Sequence, residues 1–213
     1  MNNQGAIVLC GGKSTRMGTP KALLPFGEEV MLQRVVRLVG EVVPPKNIVV
    51  VAAVGQELPG LPNEVTITHD ENPERGPLEG LAAGLRCFDS GRLSDKSQVG
   101  SVYATSCDVP LLVPAFVERI FSLLGDHDIA VPKEEAGSKH YHHPLAAVYR
   151  TSVLSKVEAL LAADRLRPFF LFEECDTREI PVKQLREVDP ELRSLMNCNT
   201  PEDYEVALSL MTL

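Results

Sequence analysis

Leu9-Cys10-Gly11-Gly12-Lys13-Ser14-Thr15-Arg16-Met17-Gly18-Thr19-Pro20-Lys21 follows directly on the apolar run Ala6–Leu9. The run has the length and unbroken apolarity of a strand buried on both faces, and the glycines stop it. Glycines allow positive φ and close backbone approach, and the exposed N–H groups of such a turn can cradle phosphate oxygens. Lys13, Arg16 and Lys21 place three cations within nine positions of an otherwise acidic chain. A tight turn alone would account for the glycines but not for the cations. Their clustering points to a polyphosphate site.

Two familiar phosphate loops do not fit. A Walker loop ending in Gly12-Lys13-Ser14 would need glycine at position 7, which is Ile7. The dinucleotide fingerprint fails as well, because Gly11 and Gly12 are adjacent and the next glycine is Gly18. ATPase and dehydrogenase readings lose their main support.

Working outward, strand-length apolar runs alternate with helix-length amphipathic segments. Strands are expected at Ala6–Leu9, Ile48–Val54, Val65–Thr68, Val99–Thr105, Ile129–Val131 and Leu145–Tyr149. Helices are expected at Val30–Val43, Leu78–Phe88, Pro114–Leu124, Ser152–Ala163 and Pro201–Leu210. Thr200 is placed as N-cap of the last helix, with Pro201 and Asp203 completing a near capping box. Asp89–Ser97 and Pro132–His143 read as surface loops. The alternation predicts an α/β fold in three layers, a mostly parallel sheet with helices on both faces. Ligands of such sheets sit beyond the carboxyl ends of the strands. That rule directs attention to Cys10–Lys21, to the segment after Thr68 and to the segment after Thr105.

The chain has 213 residues, 44% hydrophobic and 23% charged, which suits one domain spanning 1–213 with a sizeable core. Acidic residues outnumber basic ones by 29 to 21, for a net charge of −8. That balance argues against nucleic acid as a partner, because phosphate backbones demand surplus Lys and Arg. Aromatics are 5% with no Trp, which removes base-stacking platforms. No apolar window reaches the roughly 18 residues of a membrane span, and no leader pattern precedes the first strand, so a cytoplasmic protein is expected. Cys10, Cys87, Cys107, Cys175 and Cys198 are scattered and never form a C-x-x-C pair; they read as reduced core fillers.

Asp108 follows the run Val102–Thr105 and so belongs at a strand's carboxyl end, above the crevice. A carboxylate there could bring Mg2+ to phosphate oxygens, or cap the turn into Val109-Pro110. Asp70 closes the third strand, either as a ligand residue or in an Asx turn before Asn72-Pro73. Asn197 and Asn199 straddle Cys198, and in a strand both would point the same way. They could bind a substrate, complete a metal's shell, or, for Asn199, cap the last helix. The run His140-Tyr141-His142-His143 lacks further ligands at zinc spacing and reads as a polar loop over a second substrate's pocket.

The glycine loop resembles L-x-G-G-x-S-x-R-M-G-x-x-K, the signature of the sugar-nucleotidyltransferase-like superfamily, and is most similar to the molybdenum cofactor guanylyltransferase family. Further landmarks occur in order along nearly the whole chain. They are Gly76-Pro77-Leu78-Glu79-Gly80, Cys107-Asp108-Val109-Pro110, His143-Pro144, and Asn197-Cys198-Asn199-Thr200-Pro201. The resemblance implies transfer of GMP from GTP to the terminal phosphate of molybdopterin, with or without molybdenum, releasing pyrophosphate. It implies nucleotide contacts from Leu9, Cys10, Gly11, Gly12, Lys21, Asp70 and Asp108. Arg16, Lys21 and Asp108 become the catalytic set, with Asp108 the ligand of Mg2+. His143, Asn197 and Asn199 fall to the acceptor. About residues 1–110 form the nucleotide half and about 111–213 the acceptor half. Transient contacts with cofactor-delivery or acceptor enzymes are implied too.

The pair Gly11-Gly12 sides with GTP users, since CTP-using cousins carry L-A-A-G; a missing Cβ beside the base would admit a purine edge. The sequence departs from the family at Val51-Ala52-Ala53-Val54-Gly55, where many members carry an Asn that helps the base. It is also one residue shorter than some members between Gly18 and Lys21. A related transferase using CTP or another phosphorylated acceptor, and an inactive nucleotide-binding regulatory module, are the competing readings.

Overall fold

The first strand sets the layers. In β1 (Gln4–Leu9) every residue from Gly5 to Leu9 is buried, and successive side chains enter opposite cores. Ala6 and Val8 join one apolar cluster, while Ile7 and Leu9 join the other. The computed structural model describes residues 4–11, 20–70, 72, 75–89, 99–136 and 139–211.

After the glycine loop come a short hairpin, β2 (Pro25–Phe26) and β3 (Glu29–Val30), then helix α1 (Met31–Gly40) and strands β4 (Ile48–Ala53) and β5 (Thr66–Asp70). Helix α2 (Pro77–Asp89) leads to β6 (Ser101–Ser106), and α3 (Pro114–Leu124) leads to β7 (Ile129–Ala136). Strands β8 (Lys139–His142) and β9 (Ala146–Arg150) follow, then helices α4 (Leu154–Ala162) and α5 (Pro168–Glu174). Strand β10 (Thr177–Pro181) and helix α6 (Pro201–Met211) complete the chain.

The main sheet runs β10-β7-β9-β6-β1-β4-β5, with β8 paired to β7. Strands β6, β1, β4 and β5 are mutually parallel, as is β10 with β7. Strand β9 is antiparallel to both β6 and β7, and β8 is antiparallel to β7. Helix α1 packs Leu32, Val35, Val36 and Val39 against one face, beside Phe116, Val117 and Ile120 of α3. Helices α2, α4 and α5 cover the other face through residues such as Leu78, Leu85, Val157 and Leu171. The expected three-layer, mostly parallel α/β fold is the one observed. The first cluster takes residues from Ala6 to Leu192, so both halves of the chain share one core.

Two local expectations are corrected. Pro132–His143 is not an open loop but the β7–β8 hairpin, in register from Lys133↔His142 to Ala136↔Lys139. Pro132 is tolerated because it lies where the antiparallel partner changes, β9 facing Ile129 and Ala130 and β8 facing Lys133 onward. Strand β10 and helix α5 were not legible at all. In β10 only Ile180 is buried, and α5 is too short to display a helical period. The expected end of β4 at Val54 overshoots by one residue, within the usual scatter of strand ends.

Candidate active site

The parallel strands β1, β4, β5 and β6 deliver their carboxyl ends to one cleft, as the strand-order rule expects. Its walls are Leu9 and Gly11 after β1, Val51 of β4, Asp70 of β5, and Gly76, Pro77 and Gly80 at the start of α2. Ser106 and Asp108 after β6, Leu145 before β9 and Asn197 before α6 complete it. The amino end of α2 faces the cleft, and its unpaired N–H groups and dipole favour an anion there.

Asp108 stands at the centre of a polar network. The Cys107 N–H donates to the Leu9 carbonyl at 2.9 Å, which carries the β1–β6 ladder one step past Ser106. Asp108 is thereby held at the mouth of the cleft. Its Oδ1 accepts from Ser106 Oγ at 2.5 Å and from Asn197 Nδ2 at 3.0 Å. Its Oδ2 accepts from Lys21 Nζ at 2.7 Å, and the same ammonium donates to Asn199 Oδ1 at 2.8 Å. The Cys198 N–H donates to the Asp108 carbonyl at 2.8 Å, tying the carboxyl-terminal segment to the β6 turn. The Lys21 and Asp108 side chains are only 16% and 13% exposed, so water screens this pair less than a surface pair.

Each participant is placed by local chemistry. Lys21 opens a short 3-10 turn, Lys21–Leu23, immediately after the glycine loop. Asn197 and Asn199 lie in an irregular segment rather than in a strand, yet both side chains reach the network. The segment is anchored from behind by Cys198 and Ala207, which pack with Phe26, Met31 and Leu111. The capping of α6 is as read: Asp203 N–H donates to Thr200 Oγ1, and Asp203 Oδ2 accepts from the Asn199 and Thr200 N–H groups. The backbone of Asn199 serves the helix cap while its side chain serves Lys21.

The remaining expected residues are distributed unevenly. Asp70 is buried at the cleft wall, and its Oδ1 also accepts from the Asn72 N–H at 2.8 Å, so it both makes the Asx turn and faces the cleft. Leu9 faces the cleft with its side chain, its carbonyl being occupied by Cys107. Cys10 is turned into the core, with its N–H on Val51 O and its carbonyl accepting from Gln56 Nε2. Its backbone is therefore engaged by the protein. Gly11 packs against β4, where an added Cβ would sit 3.3 Å from the Ala53 nitrogen. A side chain there would crowd the backbone of β4. Gly12 and Arg16 lie outside the described residues.

His143 sits at the root of the β7–β8 hairpin, its Nε2 3.6 Å from Glu134 Oε2, while Leu145 supplies the cleft wall on that side. Burial holds its imidazole below the ordinary histidine pKa, against the opposing pull of Glu134. His142 bonds Glu179 Oε1 at 2.7 Å beside the rings of Phe169 and Phe172. His140 lies 3.9 Å from Glu135. The cysteines are all free and buried. Burial pushes the Cys10 and Cys198 thiols up to about 12, and Cys107 well above its ordinary range, so none of these three offers a thiolate.

Sequence reading missed three contributors. Ser106 orients Asp108, and a hydroxyl two residues before a strand-end Asp was a usable signal. Arg34 of α1 donates from Nε to the Pro110 carbonyl at 2.7 Å, holding the turn after Asp108. Nothing in its helical neighbourhood marked it. Gln56 binds the Cys10 carbonyl from the far side of a turn, where distance along the chain hides the contact.

The donor set fits one divalent cation shared with a substrate. Mg2+ is commonly held by one or two carboxylates, with phosphate oxygens and waters supplying the rest. Asp108 already carries a cation on Oδ2, the Lys21 ammonium, which shows that positive charge is favoured at that oxygen. Among the described residues there is no cluster of three His, Cys, Asp or Glu side chains placed to hold a metal by themselves.

Known proteins resemble this chain along most of its length. Residues 6–177 match the family model described as MobA-like NTP transferase domain. A protein of Methanosarcina acetivorans named "Probable molybdenum cofactor guanylyltransferase" is 34% identical, covering 95% of this chain and 89% of that protein. One of the same name from Carboxydothermus hydrogenoformans is 32% identical over 100% of this chain and 99% of that protein. Among solved structures, the molybdopterin-guanine dinucleotide biosynthesis protein A of Archaeoglobus fulgidus superposes with TM-score 0.73 at 24% identity, covering 98% of each chain. The 2-C-methyl-D-erythritol 4-phosphate cytidylyltransferase of Thermus thermophilus superposes with TM-score 0.69 at 13% identity, covering 99% of this chain and 100% of that one. These two likenesses speak to the fold. With the family model spanning most of the chain and relatives of this identity along nearly all of it, the protein belongs to the MobA-like NTP transferase family, a family of nucleotidyltransferases.

Proposed function

We propose that this protein transfers GMP from GTP to the terminal phosphate of molybdopterin, a step in the biosynthesis of molybdopterin guanine dinucleotide. The observation that carries the reading is the Lys21–Asp108–Asn197–Asn199 network at the cleft mouth. It joins the nucleotide loop to the carboxyl-terminal segment, so groups from both halves of the chain meet where two anionic reactants must be aligned. The names of the relatives supply the substrates.

In the reaction an oxygen of the acceptor's phosphate monoester attacks the α-phosphorus of GTP. The bond from the α-phosphorus to the bridging oxygen breaks, and pyrophosphate leaves with the electron pair. A phosphate monoester is already anionic at neutral pH, so the obstacles are repulsion and alignment rather than deprotonation. Lys21 and Arg16 offset charge on the triphosphate and leaving group. The N–H groups following Gly11 hold phosphate oxygens, and the start of α2 adds its dipole. Leu9 and Val51 give the nucleoside an apolar wall, with Asp70 at its edge. Asn197, Asn199 and His143 fall on the acceptor side. Asp108 would hold Mg2+, which supplies Lewis-acid polarisation of the phosphates when bound. Residues 1 to about 110 serve the nucleotide and the remainder the acceptor, within the common core.

Reduced, buried cysteines support placement in the cytoplasm, and no helix among the described residues is long and apolar enough to cross a membrane. Transient contact with enzymes that deliver or receive the cofactor belongs to the same reading. The test is a nucleotide panel with purified protein, molybdopterin and Mg2+, following pyrophosphate and the mass of the dinucleotide. Acceptor-dependent product from GTP is expected. Product from CTP alone would overturn the guanylyl assignment, and the departure from the family pattern within Val51-Ala52-Ala53-Val54-Gly55 makes CTP the essential control.

A further inference from the structure

We infer that Gln56 is a positioning residue for the nucleotide loop, its side-chain amide standing in for a peptide unit where the β1–β4 ladder runs out. The inference rests on the nucleotidyltransferase reading of the cleft. The paired register of β1 and β4 ends at Leu9↔Val51, and the Cys10 N–H adds one more bond to Val51 O at 2.9 Å. Beyond it the Cys10 carbonyl and the Ala53 N–H face the seam without a strand partner. Gln56 serves both: its Oε1 accepts from Ala53 N–H at 3.0 Å and its Nε2 donates to Cys10 O at 2.9 Å. A primary amide offers the same acceptor and donor as a peptide group. The turn that returns Gln56 to the seam passes through Gly55 at φ +75 and is closed by Gln56 N–H on Ala53 O at 3.1 Å.

The seam leaves little play, since an added Cβ on Gly11 would lie 3.3 Å from the Ala53 nitrogen. Gln56 does not line the cleft, but it fixes the carbonyl of Cys10 and so the direction in which Gly11 enters the phosphate loop. Leu9 and Val51, on either side of the same seam, form part of the cleft's apolar wall. Loosening the seam should therefore weaken nucleotide binding and leave the acceptor untouched.

The experiment compares the full chain with Gln56→Met and Gln56→Glu. It uses calorimetric titration with GTP and Mg2+, KM for each substrate, and thermal unfolding. Methionine keeps the length but loses both bonds. Glutamate keeps the acceptor but sets a charged oxygen against Cys10 O until it is protonated. Both variants are expected to bind GTP about tenfold more weakly near neutral pH, with the acceptor KM unchanged. Relative to wild type, Gln56→Glu should recover as pH is lowered from about 8 to about 5, because the protonated carboxyl regains a donor, whereas Gln56→Met should not. Unchanged GTP affinity in both variants overturns the inference, as does an equal rise in acceptor KM or a loss that merely follows unfolding temperature. Wild type that binds CTP in place of GTP would remove the guanylyl reading alone, and the same titration with CTP would then decide Gln56. Wild type that binds no nucleoside triphosphate overturns both.

Discussion

Lys21 Nζ lies 2.7 Å from Asp108 Oδ2, bridging 87 positions of sequence at the mouth of the cleft. Each oxygen of that carboxylate has a donor, because Ser106 and Asn197 share Oδ1. The cation read from the glycine loop and the carboxylate read from the strand end are thus one ion pair, reinforced by two asparagines.

Removing either partner should cripple transfer. Loss of a preorganised charge contact costs about 2.7–4 kcal/mol in the transition state, so Asp108→Ala and Lys21→Ala should each lower turnover by at least roughly a hundredfold. Steady-state rates of guanylyl transfer with saturating Mg2+ measure this. Near-normal transfer by Asp108→Ala would end its role in holding the metal.

The same contact makes Lys21 a competitor of the metal. A divalent ion approaching Oδ2 must displace the ammonium, at a cost that nucleotide phosphates can offset by receiving it. Lys21→Met should therefore bind Mn2+ more tightly than wild type in the absence of nucleotide, even as transfer falls. Titration followed by electron paramagnetic resonance reads free Mn2+ directly. Equal or weaker binding by the variant would show that no such competition exists.

Helix α2 is seated on β1 at Gly84, where an added Cβ would lie 2.6 Å from Ile7 Cγ2. Alanine is favoured over glycine in a helix by about 0.5–1 kcal/mol, but overpacking a tight core costs about 1–3 kcal/mol. The second effect should win. Gly84→Ala is expected to lower the unfolding temperature by several degrees in calorimetry, since about 1 kcal/mol moves a chain of this size by roughly 2–4 °C.

Burial depresses the His143 pKa, and the nearby positive charge of His142 adds to this, while Glu134 opposes it. As pH falls below the ordinary histidine value, the unfolded chain takes up this proton before the folded one. Stability should thus decline from that point until the folded pKa is passed. Glu179, held low chiefly by its bond from Lys133, and Glu29, held low chiefly by Arg37, add losses of the same sign in the more acidic carboxylate range. Thermal unfolding between about pH 7 and about pH 5 should show a flatter profile for His143→Asn than for wild type. An identical slope would remove His143 as the source.

The legible elements share a property: their apolar pattern is set by burial on both sides or along one helical stripe. Strand β1 and helices α1 and α3 are of this kind. Helix α5 and strand β10 were illegible because each buries too few residues to leave a period. The hairpin of β7 and β8 looked like a loop because its outer half carries Lys, Glu and His, which pair across the strands and with Glu179.

By itself the sequence determined the chemistry available and its rough location. Turn glycines, clustered cations and a strand-end carboxylate are local features, dictated by backbone sterics and by where an apolar run stops. Only the tertiary structure decided how those groups are engaged. It paired Lys21 with Asp108, brought Asn197 and Asn199 to them from an unpaired segment, turned Cys10 into the core, and gave Gly11 its place against Ala53. The physical reason is that a hydrogen bond or ion pair between distant residues depends on sheet order and packing, to which the local pattern is blind.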